Sequence, residues 1–172
     1  MKRSEAAAIK RAVKAARIDT CQARAFCKLV AAMQTTNRGV AGAHDILGPA
    51  ELLLQHGQPM MTRIASTWQG TQKLCFHNAY QHARRSRGRL RYVEGFAIAG
   101  IPIEHAWCVD EAGQVIDPTL RTHFTEADYF GMVLDLDFVR TMRRKHYGTW
   151  SILFCWWEWT EIYPAIAAHL KR

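Results

Sequence analysis

The segment from Ile101 to Val109 constrains this chain more than any other. Its odd positions, Ile101, Ile103, His105, Trp107 and Val109, share one face of an extended strand, so a lone histidine interrupts an apolar surface. Asp110-Glu111-Ala112-Gly113 has turn chemistry and leads into a short strand, Gln114 to Asp117, which predicts a hairpin. With Glu111 to Gly113 as a three-residue loop and Gly113 left-handed, Asp110 opposes Gln114. Trp107 then opposes Asp117, and His105 is its diagonal neighbour on the same face. Such pairs lie roughly 7–8 Å apart at the backbone, a gap that a carboxylate and an imidazole span.

Other segments read as helix. Ser4 to Arg17 places Ala6, Ile9, Val13 and Ala16 on one face and Lys10, Lys14 and Arg17 on the other. Asp19 or Thr20 is positioned to cap a second helix to about Met33, with Thr35 to Gly39 as a break. Ala50 to His56 gives a third, stopped by Gly57. Gln72 to Arg85 has no internal breaker and ends at Ser86-Arg87-Gly88. Leu90 to Ala99 is a further strand, Leu136 to Arg144 a helix, and Trp150 to Trp159 a buried strand. This order predicts an α+β domain. Residues 1–60 form its helical N-terminal extension, and residues 61–172 form a core with a helix packed on an antiparallel sheet.

The 172 residues suffice for about one domain. Hydrophobic residues make up 49% and charged residues 22%, which excludes a collagen-like or wholly disordered chain. The longest apolar stretch, Trp150 to Trp157, falls far short of the ~20 residues of a membrane-spanning helix. Five cysteines at irregular spacing form no disulfide framework and point to a cytoplasmic setting. No Cys-x-x-Cys or His-Glu-x-x-His pattern is present, and His77 and His82 diverge on a helix, so neither a metal nor another cofactor is expected.

Three residues carry chemistry together. Cys75 lies near the start of its predicted helix, where unpaired N–H groups and the helix dipole favour a thiolate. His105 points toward whatever covers its face of the sheet, and the Cys75 helix is the expected cover. Asp117 is placed to orient His105, and His105 to activate Cys75. Cys108 faces the other way and is the poorer nucleophile. His82, two turns beyond Cys75, is the reserve base.

The stretches Cys75-Phe76-His77-Asn78-Ala79, Tyr92 to Ala97, Ile103-Glu104-His105-Ala106-Trp107 and Val115-Ile116-Asp117-Pro118-Thr119 resemble the core of transglutaminase-like, papain-like cysteine hydrolases. The likeness is to small bacterial and phage members, over about Trp68 to Val133. It implies Cys75 as nucleophile, His105 as general base and acid, and Asp117 as orienting residue. Gln69-Gly70-Thr71, six residues before Cys75 and followed by Phe76, resembles the papain-like turn that supplies an oxyanion-hole glutamine. Asn78 and Trp107 join Gln69 as expected positioning residues. The implied function is cysteine-dependent hydrolysis or acyl transfer on a protein or peptide amide.

A different class competes. The formal charge of +8 and the run Arg84, Arg85, Arg87, Arg89 and Arg91 suit an acidic protein or nucleic-acid partner, although no nucleic-acid-binding signature is present. A non-catalytic basic binding protein on the same fold is therefore the alternative. Trp150, Trp156, Trp157 and Trp159 read as core and subunit surface, with Trp157 and Trp159 covered by the N-terminal helices or a partner chain.

Overall fold

A computed structural model describes residues 7, 10, 11, 14, 19–41, 46–60, 63–120, 127–146, 151–155 and 158–170, with the backbone alone over 36–41. Its elements are α1 (Gln22–Ala41), α2 (Pro49–His56), β1 (Gln58–Met60), β2 (Arg63–Ile64), α3 (Cys75–Arg85), β3 (Arg91–Ile98), β4 (Pro102–Val109), β5 (Val115–Ile116), β6 (Asp128–Leu134), α4 (Leu136–Lys145) and α5 (Trp159–Leu170). The fold is α+β. Among the described residues one six-stranded sheet runs β1-β6-β3-β4-β5-β2, antiparallel except where β2 lies parallel to β5.

The hairpin register is the expected one. Cys108 pairs with Ile116 and Val109 with Val115, Asp110 N–H donates to Gln114 O, and Gly113 has φ 78°. The next position on each strand sets Trp107 against Asp117. Ile101, in contrast, lies in the turn after Gly100 (φ 86°) and is 67% exposed, so the inward face begins at Ile103.

Both faces of the sheet are covered. Tyr92, Phe96, Ala106, Cys108, Phe130 and Met132 pack with the helices into the larger core, to which Cys27, Leu52, Ala79, Val139 and Ile162 contribute. The other face carries Val93, Trp107, Val109, Val115 and Tyr129 beneath Met60, Leu120 and Ala127. Trp107 fits there because Gly131 lies under it. A Cβ at Gly131 would stand 2.5 Å from the indole, closer than packed atoms approach. The helix of Cys75 belongs to the first face, with Ala79 and Ala83 in that core and the Cys108 thiol donating to Ala79 O at 3.3 Å. It does not cover the His105 face. Even positions of β4 present small side chains, Ala106 and Cys108, which admit a close helix, while Trp107 fills the space on the odd side.

Two further expectations change. Helix α1 continues through Thr35 to Ala41 rather than breaking, because α2 packs beside it; Thr35 Oγ1 donates back to Ala31 O at 2.9 Å and also reaches the Glu51 carboxylate. Its start is held from afar: the Asp128 carboxylate of β6 accepts Gln22 and Ala23 N–H, and Asp19 accepts Cys21 N–H. The segment read as a strand from Trp150 to Trp159 is a turn over 151–155 followed by α5. Glu94, fully buried, accepts Ser151 Oγ at 2.6 Å, Ile152 N–H at 3.0 Å, Leu153 N–H at 2.9 Å and Tyr92 Oη at 2.7 Å. Backbone groups bound to a carboxylate are not free to join a ladder.

Trp159 opens α5, buried, and donates through Nε1 to Leu47 O at 2.7 Å. Trp150, Trp156 and Trp157 lie outside the described residues, as does most of the helix expected over 4–17, of which residues 7, 10, 11 and 14 are helical and exposed. The N-terminal helices share the sheet's larger core, and β1 at 58–60 pairs with β6. No helix among the described residues is long and apolar enough to cross a membrane.

Candidate active site

Cys75 is the first residue of α3. The preceding turn places Lys73 in the left-handed region at φ 65°, and Leu74 offers no side-chain cap to the helix start. Asn78, one turn into α3, donates from Nδ2 to Thr71 O at 2.6 Å and to Thr119 Oγ1 at 3.0 Å, while Gly70 N–H donates to Pro118 O at 2.7 Å. These bonds lash the turn before Cys75 to the segment after Asp117. Gly70 is required for that approach, since a Cβ there would stand 2.2 Å from the Asn78 side chain. The β5 ladder ends at Ile116, and Asp117 follows it against His105.

His105 and Asp117 are buried together, and Nε2 of the ring meets Asp117 Oδ2 at 2.7 Å. The Cys75 side chain lies close enough to the ring to contribute to its protonation balance. Cys75 therefore lies near the His105–Asp117 pair, although α3 packs on the opposite face of the sheet. Burial by itself would push the imidazole down, but the charge and hydrogen bond of Asp117, with a contribution from Cys75, raise it to about 9.

Asp117 is saturated. Oδ1 accepts Thr119 N–H at 2.8 Å and Leu120 N–H at 2.9 Å, and Oδ2 also accepts Tyr129 Oη at 2.9 Å. Burial acts to raise its carboxyl, but His105 and the backbone donors outweigh that and hold it below the usual carboxylate range. Burial and the neighbouring Asp117 push the Tyr129 hydroxyl up, so it stays a donor. Tyr129 is the site residue that sequence reasoning missed. The run Tyr129 to Leu134, rich in β-forming side chains, was the available signal.

The other expected residues fall as follows. Trp107 is fully buried, its ring stacked 6.2 Å from that of His105 and its Nε1 donating to Met60 Sδ at 3.2 Å, so it supports the imidazole and has no surface to offer a substrate. Asn78 is likewise buried and spent on the two loops. Gln69 is exposed on the turn before Cys75. His82 is not beside Cys75 but stacks on Trp68 at 5.5 Å; burial, with Arg85 nearby, holds its imidazole low.

Arg84, Arg85, Arg87, Arg89 and Arg91 are exposed, and none forms an ion pair among the described residues. Cys75 is half-buried, whereas Cys21, Cys27, Cys108 and Cys155 are buried. Burial pushes the thiols of Cys21 and Cys155 up to about 11 and that of Cys27 to about 12, and raises Cys108 as well. Among the described residues no group of three or more His, Cys, Asp or Glu is placed to hold a metal ion.

No protein-family profile matches the chain, and no curated protein or solved structure shows significant similarity to it.

Proposed function

We propose that this protein is a cysteine-dependent hydrolase or acyltransferase acting on a protein or peptide amide, with a transglutaminase-like, papain-like core. The observation that supports this reading is the buried His105–Asp117 pair, its carboxylate fully hydrogen-bonded, with Cys75, the least buried of the cysteines, near the ring at the start of α3. Cys75 is the nucleophile, His105 the general base and acid, and Asp117 the group that fixes the ring and stabilises its protonated form.

The chemistry balances without a cofactor. With the thiol proton held on His105 as the imidazolium, the sulfur lone pair forms a C–S bond to the carbonyl carbon as the C=O pair moves onto oxygen. The uncapped N–H of Cys75 at the α3 start and the Gln69 amide are the groups suited to that oxyanion. Collapse breaks the C–N bond, and the departing amine takes the proton from His105. Water then yields the acid, or a second amine the transferred amide.

An activated ester tests the reading. Exposure to p-nitrophenyl acetate should release nitrophenolate in a burst and leave an acetyl thioester on Cys75, located by mass spectrometry. Cys75→Ala should abolish both. An adduct elsewhere, or a burst that survives Cys75→Ala, contradicts the assignment.

A second reading, a basic binding protein with no turnover, is favoured by the five exposed arginines at the end of α3 and just beyond it, none of which forms an ion pair among the described residues. Binding of an acidic partner without any acylation of Cys75 would select it.

A further inference from the structure

A groove runs along α3, and of its lining the proposed chemistry uses Gln69 alone. At the end nearer Cys75 it encloses about 450 Å³ between Gln69, Thr71, His77, Asn78, Gln81 and Arg84. At the far end it encloses about 490 Å³ between Ile64, Trp68, His82, Arg89, Leu90 and Ile116. Trp68 and Arg85 line both ends, so the two cavities adjoin at these side chains. The 11 residues of α3 run for about 16 Å alongside, a span that about five residues of extended chain cover.

The two ends differ in chemistry. Amide, hydroxyl and imidazole groups wall the near end. The far end has an apolar floor of Ile64, Leu90 and Ile116, with the Trp68 indole stacked on the His82 ring and the Arg85 guanidinium 5.4 Å from the indole centre. Arg85 and Arg89 form no ion pair among the described residues, and Arg89 donates from Nε to Ser86 O. Asp110, the one acidic wall residue, already accepts Gln114 N–H at 2.8 Å.

We propose that this groove binds an acidic segment of the polypeptide substrate. An apolar side chain enters the pocket beside Trp68, and carboxylates on either side of it meet Arg85 and Arg89. The inference deepens the proposed acyl chemistry and rests on it for one point, that the bound segment continues past Gln69 toward Cys75. Acidic residues are then preferred about three to five positions from the amide attacked. The wall chemistry favours a peptide over a nucleic acid, because the Trp68 ring is already engaged by His82 and Arg85 and the apolar floor of Ile64, Leu90 and Ile116 suits an aliphatic side chain.

The test uses the full chain carrying Cys75→Ala, so that binding is read without turnover. Three fluorescent probes are compared by anisotropy: a peptide with glutamates flanking one leucine, the same peptide with lysines for glutamates, and a single-stranded RNA homopolymer. The glutamate peptide should bind and weaken as salt rises, and the lysine peptide should not bind. Arg85→Glu with Arg89→Glu should reduce the affinity about tenfold or more, while Arg140→Glu on α4 should leave it unchanged.

Equal binding of both peptides, binding that survives the double reversal, or preferential arginine-dependent capture of RNA overturns the proposal. Because no step depends on the thiol, a failed groove with an acylated Cys75, and an occupied groove with an inert Cys75, are separable results.

Discussion

At the scale of single residues, the balance at His105 sets the chemistry. A buried imidazole ordinarily loses its proton, and here it is held to about 9 chiefly by Asp117. The stability consequence has a definite sign. The folded value lies above the unfolded value of about 6.5, so the stabilisation from protonated His105 is complete below about pH 6.5 and is lost as pH rises through about 9. Asp117 is shifted down, so its share is present above the unfolded value near 4 and lost as pH falls through the folded one.

Urea unfolding of wild type and Asp117→Asn should therefore differ most between about pH 4 and 6.5, by about 3 kcal/mol, with the gap narrowing toward pH 9. NMR titration of His105 should give a midpoint near 9 that falls in Asp117→Asn. A midpoint near 6.5 in both proteins contradicts the pairing.

His105, Asp117 and Cys75 were legible because each sits where period-2 alternation, turn length or a helix start fixes its position. Tyr129 was not, since its link to Asp117 depends on β6 lying beside β3, which no local pattern encodes.

Among the elements, the short-range ones were readable and the long-range ones were not. The β3–β4–β5 register follows from the turn around Gly113, and α4 from its Asp135 cap, which accepts Asp137 and Phe138 N–H. In contrast β1 and β2, three and two residues long, exist only through pairing with β6 and β5. The apolar run after Ser151 reads as a strand, but Glu94, 57 positions away in the chain from Ser151, claims its backbone N–H groups. Glu94→Ala should leave Ser151, Ile152 and Leu153 with unpaired donors in the core and cost about 3 kcal/mol in urea unfolding. Glu94→Gln, which keeps one acceptor oxygen, should cost less. A neutral outcome for Glu94→Ala would mean the turn at 151–155 is held by packing alone.

On the scale of the whole molecule, the larger core couples the N-terminal helices to the sheet that carries the site. Phe26 of α1 meets Phe96 of β3 edge-on at 5.2 Å, and the Asp128 carboxylate of β6 holds the first turn of α1. Residues 1–47 are therefore expected to be indispensable. A chain starting at Gly48 should bind hydrophobic dyes and lose its cooperative thermal transition, as judged by circular dichroism; a sharp transition would show that the rest folds independently. The α+β class was visible in the sequence, since it depends only on the succession of periodic patterns. Which face α3 covers was not, because it depends on the sizes of Ala106, Cys108 and Trp107 taken together.

The proposed row of sulfur, ring and carboxylate is tested most directly by the rate at which iodoacetamide modifies Cys75 at neutral pH, followed by mass spectrometry in wild type, His105→Ala and Asp117→Asn. Modification should be confined to Cys75 in the folded wild type and should slow about tenfold or more in each variant. Equal rates in the three proteins, or first modification at one of the buried cysteines, would contradict the assignment.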